Sequence, residues 1–373
     1  SVNYEAEVWL NGHRLGEHQG GHLPFEFDVT PHMRREGNVL VVRVNGELSE
    51  ARVPPGNVPY HPEDTYPVAS YPNTNFGFYP YCGIQQPVLL YAKPNGAVSD
   101  LYVYSELRDG NALVKIKMTR DSTDAVTARF VLHGLGTEIE REIETSSATV
   151  EATLMVPHPA LWSPQNPKLY ELRVELATAL GIFDRYSLPV GIRTIKVEGG
   201  ALLLNGEKLT IRGFGLHNDM PMVGRGHARA DVIKDLALMR WMGANCLRAK
   251  GYPPAEEVLD LCDRIGMLVI DETSAAGLIY AGTGLEKRYH MARQVSKETV
   301  ARDKNHPSVI MWSLAGEPHS RRAASQLFLD RMRKDSQDID KSRPFTVASM
   351  VGLDENAFKV LDVICLDLYP GWE

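Results

Sequence analysis

Residues 306–318 read HPSVIMWSLAGEP. Val309, Ile310, Met311, Trp312 and Leu314 form a near-continuous apolar run, the pattern of a strand buried on both faces of a parallel sheet. The run ends on a carboxylate, Glu317, and Pro318 stops the strand at once. An acid at the end of a buried strand has no cheap structural reason, because an exposed position costs less. Inside a pocket, desolvation disfavours its charged form, which suits a group that gives up a proton near neutral pH and takes it back later. The competing reading of Glu317 is a structural acid held in a salt bridge.

The segments around this strand repeat its grammar. KLTIRGFGL (208–216), NCLRAKG (245–251), MLVIDETS (267–274), SVIMWSLAGE (308–317), PFTVASM (344–350) and DVICLDLYPGW (362–372) read as six strands. Helix-like stretches alternate with them: ARADVIKDLALMRWMG (228–243), PAEEVLDLCDRIG (254–266), MARQVSKETVARDKNH (291–306) and RAASQLFLDRMRKDSQDID (322–340). Alternating β and α with apolar strands means a parallel sheet covered by helices. Polar residues gather just after the strands: His217-Asn218-Asp219, Arg248, Asp271-Glu272, Glu317 and Tyr369. In a (β/α)8 barrel that is the active face. No G-x-G-x-x-G follows the first strand, which tells against a dinucleotide fold.

Upstream the chain reads as β. YEAEVWLNG (4–12) alternates and turns at Asn11-Gly12, a hairpin signal, and GNVLVVRVNG (37–46) is a further strand. GGHLPFEFDVT (20–30) between them reads as a short strand with glycine punctuation. Residues 51–87, dense in Pro, Asn, Gly and Tyr, make a long loop whose aromatics suit either a sugar-facing lip or plain packing. DLYVYSEL (100–107), ALVKIKMTR (112–120), TARFVLHG (127–134), ATVEATLMV (148–156) and LYELRVELATA (169–179) are evenly spaced short strands, the pattern of an immunoglobulin-sized sandwich. HPALWSPQNPKLY (158–170) is a Pro-rich loop inside it. The expected units are 1–95, 96–192 and 193–373.

Bulk properties narrow the function. The chain has 373 residues, 43% hydrophobic and 23% charged, with net charge −7 and interspersed signs. Two or three domains are expected. No basic tract suggests nucleic acid as a partner, and no apolar run approaches the ~20 residues of a membrane span. Cys82, Cys246, Cys262 and Cys365 are scattered, with neither zinc spacing nor a disulfide framework. They point to reducing, cytoplasmic surroundings. The chain opens directly in strand pattern without Met, which suggests processing or a fragment.

The stretch NHPSVIMWSLAGEP (305–318) resembles the acid/base segment of the family 2 glycoside hydrolases, above all of the glucuronidase branch. The resemblance extends in order through residues 1–30, YCGIQQPVLLYAKP (81–94), IRGFGLHNDM (211–220), residues 241–273, SRPFTVAS (342–349) and DVICLDLYPGW (362–372). It implies a jelly-roll-like sugar-binding sandwich, an immunoglobulin-like sandwich and a TIM barrel, here incomplete at about six strands. It also implies a retaining exo-β-glycosidase acting on terminal sugars of glycosides or oligosaccharides. Such an enzyme needs no metal or cofactor and has two carboxyl groups about 5–5.5 Å apart.

Carried over residue by residue, Glu317 is the acid/base, His217 a sugar-hydroxyl contact, and Arg248 the arginine that orients the nucleophile. Asp219 and Lys250 join the substrate-binding set, with Tyr369 and Trp372 as an aromatic floor. The nucleophile belongs to a seventh strand, past the end of this chain, and Glu373 does not match its position. A six-stranded barrel leaves an open edge, so the chain alone is expected to be inactive and prone to aggregate. Family members often form tetramers, so a homo-oligomer is an expectation.

Several positions depart from the family pattern. Gly316 stands where the family has an Asn that donates to the sugar 2-hydroxyl, Lys250-Gly251 where it has Ser-His, and Asn218 where it has Glu. No acid lies near Phe76-Gly77, where glucuronidases carry an Asp. These changes keep two alternatives open: a carbohydrate-binding relative without turnover, and a structural or adhesion module built on the two sandwiches. Arg248 can equally be a structural partner of Asp271 or Glu272.

Overall fold

Strict alternation makes Glu5–Leu10 a strand: Ala6, Val8 and Leu10 are buried and their neighbours face outward. In the computed structural model, which describes residues 1–57, 76–217, 219–220, 223–226, 228–280, 282, 284–318, 320–350 and 356–368, it is the centre of a three-stranded antiparallel sheet. His13–Gln19 and Leu40–Asn45 flank it. Asn11 and Gly12 take φ of 53° and 86°, the left-handed pair that a two-residue hairpin turn demands. Residues 20–29 do not form the expected strand. Gly20, Gly21 and His22 all have positive φ, so the chain turns away from the sheet. Its apolar residues pack by side chain instead: Phe25 stacks on His18 at 4.7 Å and buried Leu23 joins the core beside the helices.

The second unit is a sandwich of seven strands. Thr149–Pro157, Asn111–Arg120 and Val98–Arg108 make one sheet in that order. Gly181–Val190, Tyr170–Thr178, Val126–Gly134 and Thr137–Thr145 make the other. Val114, Ile116, Met118, Phe130, Leu132, Leu172 and Val174 fill the space between them. Thr137–Thr145 and Gly181–Val190 are absent from the strands expected above. Both are edge strands with mostly exposed residues, and only Ile139 and Ile143 in the one and Phe183, Leu188 and Val190 in the other reach the core.

After a small antiparallel sheet (Ile195–Glu198, Ala201–Leu204, Glu207–Lys208), pairing turns parallel. Six strands follow in sequential order: β1 (Gly213–Leu216), β2 (Cys246–Ala249), β3 (Leu268–Glu272), β4 (Val309–Gly316), β5 (Phe345–Ser349) and β6 (Cys365–Leu366). Helices α1 (Arg229–Trp241), α2 (Glu256–Ile265), α3 (Leu285–Asp303) and α4 (Ala323–Gln337) connect the first five strands. This is six strands of a (β/α)8 barrel, as a curled open sheet. Every residue of β4 is buried, as its composition requires. Leu247, Val269, Val309, Trp312, Phe345 and Val347 pack with Val232, Leu259, Val295, Leu329 and Met332 from the helices. Where the strands begin, Cys246, Leu268 and Ile310 pack with Trp162, Ile195 and Leu204. The Pro-rich loop therefore anchors the sandwich to the barrel: Trp162 is fully buried and its Nε1 donates to the Asp263 carbonyl at 2.8 Å. No helix among the described residues is long and apolar enough to cross a membrane.

A buried carboxylate, Asp340, also ties the two units. It accepts from Arg343 Nη1 (2.6 Å), Trp312 Nε1 (2.9 Å) and the Tyr102 hydroxyl (2.7 Å). Burial pushes its pKa up, but the Arg343 guanidinium and the hydrogen bonds outweigh this and hold it well below the usual carboxylate range. A depressed folded pKa adds stability above the unfolded value, near 4, and that stability is lost as pH falls through it. Asp340→Asn is expected to cost about 2–3 kcal/mol at neutral pH, because the Arg343 guanidinium loses its counter-charge and the Trp312 and Tyr102 bonds lose a charged acceptor. Urea titrations at pH 7 and pH 3 check this: the gap between the two proteins should shrink at the lower pH, and a constant gap would contradict the assignment.

Candidate active site

The six strands bring their last residues to one mouth. Glu317 sits immediately past β4, with its N–H donating to the Ala348 carbonyl at 2.9 Å and φ at +49°. A glutamate in the left-handed region is strained, and such conformations concentrate at functional sites. Just before it the pairing of β4 with β5 shifts register between Ser313 and Gly316. The Glu317 side chain is 12% exposed, and its Oε1 lies 2.7 Å from Lys250 Nζ, just past β2.

Beside this pair lies a network around Arg248. Its Nε and Nη2 donate to Glu272 Oε2 (3.1 and 2.9 Å), and Nη1 donates to Asp367 Oδ1 and Oδ2 (2.8 and 3.1 Å). Burial works against the Arg248 charge, but the Glu272 and Asp367 carboxylates outweigh it and hold the proton more firmly than usual. Glu272 is fully buried. It also accepts from Ser313 Oγ (2.8 Å) and, at Oε1, from the Gly251 N–H (2.6 Å). Asp367 is pushed up by desolvation; Arg248 pulls it down, and Glu317 and Glu272 push it up. Asp271 and Glu272 are consecutive in a strand, so they face opposite ways. Asp271 is fully buried outside this network, and desolvation, then the Asp303 carboxylate, drive its pKa well up. Of the two structural partners open to Arg248 from sequence, Glu272 is the one engaged.

The other side of the mouth is aromatic and is shared with the first sandwich. His22 stacks on Tyr252 at 4.7 Å, and Phe78 meets Tyr252 edge-on at 5.2 Å. The Arg225 guanidinium lies 3.9 Å from the Tyr252 ring and 4.6 Å from Phe78, and its Nε donates to Asp219 Oδ1 at 2.9 Å. Asp219 thus anchors Arg225. His217, at the end of β1, is half-buried with its ring about 6 Å from Phe78 (6.2 Å) and Tyr252 (6.1 Å). Desolvation, then the Lys250 ammonium, lower its pKa, so the ring is neutral at pH 7. Its buried Nδ1 has no hydrogen-bond partner among the described residues, and a ligand hydroxyl can satisfy it.

Glu317, Lys250, Arg248 and His217 are therefore gathered at one mouth, while Asp219 is held at its wall by Arg225. Tyr369, Trp372, Glu373 and Asn218 lie outside the described residues, as do Tyr60, Tyr66 and Tyr71 of the expected aromatic lip; of its other aromatics Phe76 and Phe78 are buried and Tyr79 and Tyr81 exposed. Sequence reading missed Asp367, Ser313 and Arg225. Asp367 directly follows the β6 pair Cys365–Leu366, so the strand-end rule that found Arg248 also reaches it.

The departures noted in the sequence have a shared geometry. A Cβ at Gly316 would lie 2.2 Å from Glu272 Oε1, and one at Gly251 (φ +82°) would lie 2.7 Å from the Phe78 ring. Glu272 and Phe78 thus stand where a side chain at either position would begin. At Gly77 nothing lies within 4 Å of a Cβ. Gly316→Ala is expected to cost about 1–3 kcal/mol through overpacking, and Gly77→Ala to stay within about 0.5 kcal/mol. Chemical denaturation of both variants checks the contrast, and equal effects would count against it.

Three family models match the chain end to end: the sugar binding domain of glycosyl hydrolases family 2 over residues 1–94, a second family 2 model over 97–193, and the family 2 TIM barrel domain over 195–373. The β-glucuronidases of Sus scrofa and Homo sapiens are each 35% identical over the whole chain. The chain spans 59% of the length of these relatives. Among solved structures, the β-D-glucuronidase of Dictyoglomus thermophilum superposes with a TM-score of 0.89 at 31% identity, covering all of this chain and 65% of that one. The β-glucuronidase of Ruminococcus gnavus gives 0.89 at 31% identity, with 64% of its chain covered. Three consecutive domain matches, in the order in which the two sandwiches and the parallel sheet occur, make this chain a member of glycosyl hydrolases family 2.

Proposed function

We propose that the protein is a retaining exo-β-glycosidase of the β-glucuronidase kind, with Glu317 as general acid/base. The observation that carries this is the mouth itself: a carboxylate in left-handed backbone at the end of the fully buried β4, facing Lys250, with a neutral His217 and the Arg248 network alongside. Glu317 would protonate the glycosidic oxygen as the bond breaks and then deprotonate the incoming water. His217 would hold a sugar hydroxyl. The mechanism needs a nucleophilic carboxylate about 5–5.5 Å from the acid. Glu272 is a poor choice, because it is fully buried and held as well by Ser313 and Gly251, and Asp367 follows the sixth strand where the family pattern asks for the seventh. The nucleophile is therefore assigned outside the described residues. The units 1–95, 96–192 and 193–373 are part of this reading, supported by the change from antiparallel to parallel pairing after Lys208.

The test, made on the protein extended to the length of its relatives, is the anomer released first from 4-nitrophenyl β-D-glucuronide, followed by proton NMR. The β-anomer is expected, and the α-anomer would overturn the retaining mechanism. Gly316, with Glu272 filling the space of its missing side chain, favours a second reading: sugar binding without turnover. Saturable heats of binding with no product would establish that one.

A further inference from the structure

At the end of the barrel away from the mouth, a cleft of about 230 Å³ lies between the sandwich and the entry of β4 and β5. Tyr104 and Ser105 line it from the sandwich, Arg193 and Lys196 from the connection that leads into the barrel, and Lys341 and Arg343 from the turn before β5. Its volume is below the ~300–1,000 Å³ of pockets for drug-sized ligands, so its occupant is small. The cleft is cationic. Arg193 is 6% exposed, yet its guanidinium bonds only to carbonyls: Nε donates to Pro307 at 2.9 Å and Nη2 to Val309 at 2.7 Å. Among the described residues no ion pair holds Arg193, nor Lys196 or Lys341, which are exposed at the rim. The acids close by are taken: Asp340 by Arg343 (2.6 Å), Glu106 by Arg108 (2.9 Å) and Asp263 by His306 (2.7 Å). Burial, then the Arg343 guanidinium, lowers the Arg193 pKa to about 9, which still leaves the group charged at pH 7. A buried cation without a counter-charge of its own is costly, and an anion in the cleft removes that cost.

We propose that this cleft is a binding site for a small phosphate-class dianion, free or as a sugar monoester, and that its occupant ties the sandwich to the barrel. Arg193 sets the buried end, Lys196 and Lys341 the rim, and the Ser105 hydroxyl supplies a donor from the sandwich. The Nε–Nη2 edge of Arg193, a fork suited to a planar carboxylate, is already occupied by carbonyls. What remains is single donors and two point-charge ammoniums, a set that suits the several oxygens of a phosphate better than one carboxylate.

Calorimetry and thermal melting of the protein extended to the length of its relatives test this, with inorganic phosphate, glucose 6-phosphate and acetate at constant ionic strength. Phosphate should bind and raise the melting midpoint, since a ligand held only by the folded state stabilises it, and acetate should do neither. Lys196→Gln combined with Lys341→Gln, both at exposed positions, should weaken phosphate binding at least tenfold and leave turnover of 4-nitrophenyl β-D-glucuronide unchanged. Arg193→Met should abolish binding, and the rim variant decides the matter if that protein does not fold. Glucose 6-phosphate binding as tightly as phosphate supports a site for monoesters, and its exclusion supports a site for the free anion. Phosphate that competes with the glycoside, or that ignores the rim substitutions, sits at the mouth and overturns the proposal. An equal midpoint rise in acetate overturns it as mere charge screening, and so does the absence of phosphate binding.

Discussion

In the protein extended to the length of its relatives, Glu317→Gln is expected to lower kcat/KM on an alkyl β-glucuronide by about 10²–10⁴, and to act far less on a 2,4-dinitrophenyl glycoside. The reason is the leaving group. An alkoxide leaves poorly and needs a proton from the acid, whereas a dinitrophenolate leaves unprotonated. The amide is nearly isosteric with the acid, so it should leave the strand end and its N–H bond to Ala348 in place. A uniform loss on both substrates would indicate a structural role for Glu317, and full activity on the alkyl substrate would remove it from the mechanism. The Gln variant also weakens the Lys250 contact from an ion pair to a hydrogen bond between the ammonium and an uncharged amide oxygen. A binding measurement beside the kinetics separates that effect from the chemical one.

Arg248→Met is expected to be the most damaging substitution for stability, by about 3–5 kcal/mol. Methionine matches the length of the stem but leaves the Glu272 and Asp367 carboxylates without the cation between them. Glu272 is fully buried, so its charge cannot find water in place of the guanidinium. Arg248→Lys should recover less than half of the loss, because one ammonium cannot present the two-edged fork that reaches both acids. Denaturant midpoints of the three proteins measure this. A loss under 1 kcal/mol for the Met variant would mean that the network contributes little to folding. Asp367 should respond as well: its pKa is already raised by desolvation and is pulled down by Arg248, so it should rise further without the arginine.

Much of this was legible in the primary structure. The parallel sheet could be read because its central strands are near-continuous apolar runs, and β4 and β5 proved buried at every residue. The same logic located Glu317, since a carboxylate closing such a run is anomalous wherever it falls. The hairpin at Asn11-Gly12 was equally plain, because few residue pairs accept two consecutive positive φ angles. Thr137–Thr145 and Gly181–Val190 were invisible because an edge strand pairs through its backbone on one side and exposes most of its side chains, so composition carries little trace of it.

The linear chain by itself determined which elements form, their order, and which side chains stand at the strand ends, because backbone sterics and apolar periodicity act within a few residues. What each of those side chains pairs with was decided in three dimensions. Lys250 and Glu317 are 67 positions apart and meet only because β2 and β4 end at one mouth, as Arg248 meets Asp367 from β6. Charge and hydrogen-bond partners are chosen over a few ångströms of space, and only the curl of the sheet brings these distant positions that close.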